Sequence, residues 1–239
     1  MPEKNNKFEC ILVSKKIETS DIITLKFKLD EDSGFSFVPG QYVTVYLGGQ
    51  FGPVGKAYTI SSIPDNKFIE MSVKKIGKFS TALHELKIKS TIVIEGPVGR
   101  FFPEEKSAEL VFLAAGIGVT PFLSIIKAYA KDNSLINKKI ALFYSNKTRG
   151  DVAFFDEFNK LSEDNKNLEL FYYLTRQKIK DEYIKEFNRI DIESVKSKLN
   201  NLKNKEYFIC GPIRFVFDIR KALLNEGINE FNIHTEAFY

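Results

Sequence analysis

Apolar positions in the first hundred residues fall in short alternating runs: FECILVSKKI, DIITLKFKL, YVTVYL, AYTISSI, FIEMSVKKI and TIVIEG. β-Branched and aromatic residues dominate these runs, and turn formers (DEDSG, VPG, GGQFGPVG, PDN) separate them. A period of two with such punctuation predicts an antiparallel β-barrel or sandwich. One segment, STALHEL, interrupts with helical spacing from about Ser80. Beyond FFPEEKSAE the rhythm changes. Strands LVFLAA, KIALFYS, LELFYYLT, EYFIC and a short FNIHTEA alternate with helical stretches near 121–131, 151–163, 191–200 and 212–226. That alternation predicts a doubly wound α/β unit with a parallel sheet covered on both faces. In the last helix Val216, Ile219, Ala222 and Leu223 share one side, and Gly227 is placed to cap the end. The boundary is expected between Pro103 and Ser107, dividing a β-barrel domain at 1–105 from an α/β domain at 106–239.

Composition narrows the picture. The 239 residues are 44% hydrophobic and 13% aromatic, enough for real cores and unlike a disordered chain. A net charge of +4 is too small for a nucleic-acid footprint. Two cysteines, Cys10 and Cys210, are too few for a disulfide framework, a four-thiolate zinc site or an iron-sulfur cluster. No metal site is expected, and His84 and His234 read as structural. The N-terminal MPEKNNKFEC has no hydrophobic signal region, and the longest apolar run, LVFLAAGIGV, is about half of a ~20-residue membrane span. A cytoplasmic protein without a membrane span is expected.

The segment LVFLAAGIGVTPFLSIIKAY reads as strand, Gly-rich turn, helix. Gly116 and Gly118 let a backbone approach closely, Pro121 suits a first helical turn, and free N–H groups at a helix start favour phosphate. A dinucleotide is one reading and glycine packing is the other. Thr120-Pro121 stands where the usual fingerprint has a third glycine, and FYSNKTRG, at the end of the next strand, lacks the acidic residue that binds ribose hydroxyls.

At this point the chain resembles the ferredoxin–NADP reductase superfamily, particularly bacterial oxygenase-reductase and flavohaemoglobin-reductase modules. FVPGQYV resembles the entry to that family's flavin barrel, and KAYTISS its Arg-x-Tyr-Ser/Thr motif. MSVKKIGKFSTALHEL and GPVGRFF follow in order, then AAGIGVTPFLS, YFICGPIRFV and HTEAFY. The resemblance implies that Lys56 holds a flavin phosphate beside Ala57, that Tyr58 packs on the ring system, and that Thr59 faces its N5. It implies flavin contacts from Ser72, Val73 and Lys74, and a phosphate or pyrophosphate site at Gly77, Lys78, Phe79, Ser80 and Thr81. On the nicotinamide side it implies Gly116, Gly118, Thr120 and Pro121, with Cys210, Gly211 and Pro212 near the reacting carbon. Glu236 and Phe238 then cover the flavin, with Tyr239 as the alternative to Phe238. Without the resemblance, Tyr58 reads as a core aromatic, Cys210 as a buried strand-end thiol and Glu236 as part of an edge strand. Thr59, Cys210 and Glu236 are the expected catalytic set.

The implied function is a flavoprotein reductase. Hydride passes from NADH or NADPH to FAD, which is expected ahead of FMN, and electrons go on to a ferredoxin, flavodoxin or oxygenase component. A small acceptor such as a quinone, free flavin or ferric complex is the alternative; a non-catalytic flavin-binding electron-transfer subunit is a third. With no fused ferredoxin or globin segment in the sequence, a separate acceptor is expected. Coenzyme choice rests on Ser145, Lys147, Arg149, Thr175 and Arg176. Arg176 in LTRQ stands where relatives bind a 2′-phosphate, and otherwise reads as a solvated rim charge.

Overall fold

The computed structural model describes residues 6–65, 67–104, 109–132, 138–199 and 201–238. The chain divides into two compact units, Met1–Phe102 with Leu123–Ala128, and Pro103–Phe122 with Tyr129–Tyr239. Part of the expected boundary, 105–107, lies outside the described residues, as does Tyr239.

The first unit contains β1 (Lys7–Ile17), β2 (Ile22–Leu29), β3 (Tyr42–Tyr46), β4 (Gly55–Thr59), β5 (Phe68–Lys74), helix α1 (Lys78–Glu85) and β6 (Thr91–Val98). The strands form one antiparallel sheet in the order β4-β3-β6-β1-β2-β5. An antiparallel bridge between Ile60, just past β4, and Met71 of β5 joins the two edges, so the sheet closes as a barrel. Alternation works as its period requires: Leu25, Phe27, Val43, Val45, Ile69 and Met71 are buried in the barrel core. Helix α1 begins at Lys78, two residues before the helical spacing suggests. Ser80 sits inside the first turn, its hydroxyl accepting from the N–H groups of Ile76 (2.9 Å) and Gly77 (3.0 Å).

The second unit runs β7 (Glu109–Ala115), α2 (Thr120–Lys131), β8 (Lys139–Asn146), α3 (Phe155–Asp164), β9 (Leu168–Leu174), β10 (Ile184–Glu186), α4 (Ile192–Lys198), β11 (Glu206–Pro212), α5 (Ile213–Asn225) and β12 (Ile233–Phe238). The sheet is parallel throughout, in the order β10-β9-β8-β7-β11-β12. Successive side chains alternate between its faces. Val111, Leu113, Phe143 and Ile209 pack with Val195 of α4 and Val216, Ile219 and Leu223 of α5. On the other face Phe112 stacks on Phe122 of α2 (4.6 Å), and Tyr172 meets Phe155 of α3 (5.0 Å). Three-residue β10 was not expected from the sequence; an edge strand so short leaves no period to read. The 151–163 stretch is helical only from Phe155, because a 3-10 turn at Arg149–Asp151 and a left-handed Phe154 (φ 59°) precede it.

Strand order sets the position of the site. The chain builds outward from β7 through β8 and β9 to β10, then returns to lay β11 on the other side of β7. The switch therefore lies between the C-terminal ends of β7 and β11, where open α/β sheets bind ligands.

Candidate functional site

At the switch point the Gly-rich turn meets the Cys-Gly-Pro segment. Cys210 pairs with Ala114 on one side and with Glu236 on the other, so the thiol and the carboxylate occupy adjacent strands at one register level. Both expected catalytic groups of this unit are thus neighbours. Burial pushes the Cys210 thiol well up, and the Glu236 charge adds to the effect. It is therefore a protonated, buried thiol at physiological pH. Burial also raises the Glu236 carboxyl to about 7, so it can carry or release a proton near neutrality.

The two turn glycines differ in role. At Gly116, left-handed at φ +56°, an added Cβ would meet nothing within 4 Å, leaving room for a ligand. At Gly118 a Cβ would lie 2.3 Å from the Cys210 carbonyl oxygen and 2.7 Å from the Gly211 nitrogen. The close approach that glycine permits at 118 is to the protein's own Cys210–Gly211 peptide. Thr120 is buried and its hydroxyl donates to Ile117 O (3.1 Å), closing the turn; Pro121, also buried, follows in the first turn of α2. Gly211 is buried and Pro212 exposed. Phe238, half-buried, ends β12 opposite Pro212.

The coenzyme-choice residues lie at the ends of β8 and β9. Ser145 is half-buried; beyond it the two loops are laced by Thr175 N to Asn146 O (2.9 Å) and Arg176 N to Lys147 O (2.8 Å). Arg149 is committed within the protein, its guanidinium 3.4 Å from the Phe155 ring centroid and its Nε 3.8 Å from Asp181. Arg176 and Lys147 are exposed and have no ion-pair partner among the described residues. A separate cavity of about 280 Å³ between α3 and β9, lined by Asn159, Tyr172 and Tyr183, contains none of the expected residues.

In the first unit β4 carries the KAYT segment against β3, with Lys56 opposite Val45, Tyr58 opposite Val43 and Thr59 opposite Tyr42. Lys56 and Ala57 are exposed, Tyr58 is half-buried and Thr59 is buried. The Tyr58 ring lies nearly parallel to Phe79 (6.3 Å, 21°), which packs edge-on to Phe51 (5.1 Å). Burial pushes the Tyr58 phenol up to about 12, so it stays protonated. Val73 points into the barrel core, and its carbonyl contacts His84 Nε2 (2.9 Å). Lys74 pairs with Asp21 (3.2 Å). Thr81 donates its N–H to Gly77 O (2.9 Å), which leaves the earlier first-turn amides without an intrahelical acceptor. Ser72 is buried and its hydroxyl is engaged with Thr24 and Ser61, each at 2.9 Å. Thr24, Ser61 and the Glu18 beyond them were not anticipated. Ser61 lies within KAYTISS, and its partners, Ser72 and the Glu70 carbonyl, reach it from β5 across the barrel closure.

An exposed cation on a strand, a half-buried aromatic with Phe79 beneath it, and free amides at a helix start fit a ligand that joins a phosphate to a flat ring system, as FAD does. No helix among the described residues is long and apolar enough to cross a membrane, and they contain no His/Cys/Asp/Glu group that could hold a metal.

The oxidoreductase FAD-binding domain family matches residues 9–102, and the oxidoreductase NAD-binding domain family matches 112–221. The glycine betaine monooxygenase reductase subunit of Pseudomonas aeruginosa is 28% identical over 229 residues, covering 92% of this chain and 61% of that protein. A flavohemoprotein of Bacillus cereus is 26% identical over 247 residues, covering 97% and 61%. The chain thus spans about three fifths of the length of these relatives. The structure of a ferredoxin NADP+ reductase from Neisseria gonorrhoeae with bound FAD and NADP superposes with a TM-score of 0.82. It is 21% identical, covering 98% of this chain and 99% of that one, a likeness of fold.

Proposed function

The chain belongs to the oxidoreductase FAD-binding and NAD-binding domain families, and from that premise we propose that it is an NAD(P)H-dependent flavoprotein reductase of the ferredoxin–NADP reductase superfamily, passing electrons to a separate redox protein or oxygenase component. Residues 1–105 form the flavin domain in this reading, and 106–239 the nucleotide domain. The observation that carries it is the Cys210–Glu236 pair at the switch point of the parallel sheet, in a chain whose barrel presents Lys56, Tyr58 and Thr59 on one strand.

When bound, FAD supplies hydride acceptance and the onward release of electrons. Lys56 offers its charge to a phosphate; as a point charge it grips less firmly than the fork of an arginine. The first-turn amides of α1 add donors to the same phosphate region. Tyr58, held by Phe79, covers the ring system, and Thr59 supplies a polar neighbour for it. On the nucleotide side, the open backbone at Gly116 admits the diphosphate of the coenzyme. Cys210 keeps water from the nicotinamide, and Glu236 holds or releases a proton at its carboxyl near neutral pH. Arg176 and Lys147 are the exposed cations available to a 2′-phosphate. Two free, buried cysteines accord with a reducing, cytoplasmic setting.

The test is to purify the protein, identify the flavin it releases, and titrate the anaerobic holoprotein with NADH and NADPH in parallel. Bleaching of a bound FAD by at least one coenzyme is expected. A protein that binds no flavin, or binds one that neither coenzyme reduces, overturns the proposal.

A further inference from the structure

Three buried hydroxyls and one carboxylate form a continuous chain across the seam where the barrel closes. Thr24 of β2 donates from Oγ1 to Glu18 Oε1 (2.8 Å) and lies 2.9 Å from Ser72 Oγ of β5. Ser72 Oγ is in turn 2.9 Å from Ser61 Oγ, two residues past β4. Glu18 has a side chain only 5% exposed and pairs with Lys16 Nζ at 3.0 Å. Around the chain Ser61 N donates to Glu70 O (2.8 Å) and Glu70 N donates to Ser62 Oγ (3.1 Å), so the hydroxyls stand where the two edges of the sheet are tied.

The carboxylate dictates the direction of every bond. A carboxylate only accepts, so the single hydroxyl proton of Thr24 is committed to Glu18. Ser72 must then donate to Thr24, and Ser61 must donate to Ser72. The other acceptor within reach of Ser61, Glu70 O, is more distant at 3.2 Å. Ser61 therefore turns its proton toward the seam and leaves only lone pairs for its remaining surroundings. Thr59, two residues earlier, stands on the same side of the strand.

We propose that Glu18 and Thr24 are positioning residues for the KAYT strand: through Ser72 they fix the proton direction of Ser61 and hence the polar surroundings of Thr59. Ser72 then acts within this chain, and not as a direct contact of the flavin. The inference rests on the flavin reading of the first unit. It concerns Glu18 and Thr24, which no feature of KAYTISS itself identifies.

Thr24→Val is the discriminating substitution, since it keeps the shape and strand preference of threonine and removes only the hydroxyl. Without Thr24 as acceptor, Ser72 is free to donate to Ser61, and the order at the flavin end inverts. Three readouts on the holoprotein are compared with wild type: the visible circular dichroism of bound flavin, the flavin dissociation constant and the single-turnover rate of flavin reduction. For Thr24→Val, altered dichroism and reduction about five-fold slower are expected, the equivalent of one net hydrogen bond, with flavin affinity little changed. Thr24→Ser, which restores the hydroxyl, is expected to return both signals toward wild type, and Ser72→Ala to reproduce the valine phenotype. A purely structural role would lower thermal stability and leave dichroism and rate untouched; that result, or a Thr24→Ser indistinguishable from valine, overturns the inference alone. A wild type that takes up no flavin overturns the functional proposal and this inference with it.

Discussion

Replacing Gly118 with alanine tests whether the Gly-rich turn serves the Cys210 segment. The new Cβ would lie 2.3 Å from Cys210 O, 2.6 Å from Cys210 C and 2.7 Å from Gly211 N. All three are backbone atoms, so no side chain can swing away. Restoring ordinary contact, about 3.5 Å between carbon atoms, requires the turn and the peptide to part by roughly 1 Å. Overpacking of this kind costs about 1–3 kcal/mol. A functional effect should accompany the stability effect, because Cys210 and Glu236 share one register level and a displacement of about 1 Å can slow a positioned reaction by about 100-fold. Stopped-flow reduction of the holoprotein by NAD(P)H should therefore slow by roughly 10- to 100-fold, with full flavin content. Gly116→Ala is the contrast: its Cβ meets nothing within 4 Å and leaves Cys210 in place, so beyond a left-handed backbone cost of about 1–2 kcal/mol it should act on coenzyme binding, raising KM, and not on the reduction rate at saturating coenzyme. If Gly118→Ala is reduced at the wild-type rate while the purified protein retains its flavin, the packing argument is wrong.

Lys56→Ala should weaken flavin affinity by about ten-fold, the loss of one charge-assisted contact, measured by fluorescence titration of the apoprotein; unchanged affinity would remove Lys56 from the site. Glu236 predicts a pH dependence of stability. Its carboxyl is raised by burial to about 7, so between about 4.5 and about 7 the native state holds a proton that the unfolded chain has released. Its contribution is complete below that window and is lost as pH rises through about 7. Glu236→Gln should flatten this part of a melting-temperature profile, and a wild-type slope of the opposite sign attributable to Glu236 would refute the assignment. Arg176→Ala should raise KM for NADPH by about ten-fold while leaving NADH unaffected if the exposed guanidinium meets a 2′-phosphate; equal effects on both coenzymes would return it to a rim charge.

Much of the architecture was legible because its signals are local. Period-two runs marked the six barrel strands, and the alternation of strands with helical stretches marked the parallel sheet, including the Val216, Ile219 and Leu223 face that α5 buries. The order of KAYT, IGKFST, AAGIGVTP and ICGP along the chain was enough to identify the family and to nominate residues. Element edges were less legible. Ser80 reads as a helix start but serves from within the first turn, and left-handed Phe154 delays to Phe155 a helix that the pattern starts near 151.

The sequence by itself determined the two element rhythms, the chemistry available on each strand end and the family, because side-chain period and motif order are properties of neighbouring residues. The tertiary structure decided which strand ends meet. Only the return of β11 to the side of β7 makes Gly118 a packing partner of the Cys210–Gly211 peptide, and only the β11–β12 pairing sets Glu236 beside Cys210. Closure of the barrel likewise brings Ser61, Ser72, Thr24 and Glu18 into one hydrogen-bonded chain. These contacts depend on strand order and register, which are settled by burial and pairing across the whole unit and leave no trace in the local pattern of any one segment.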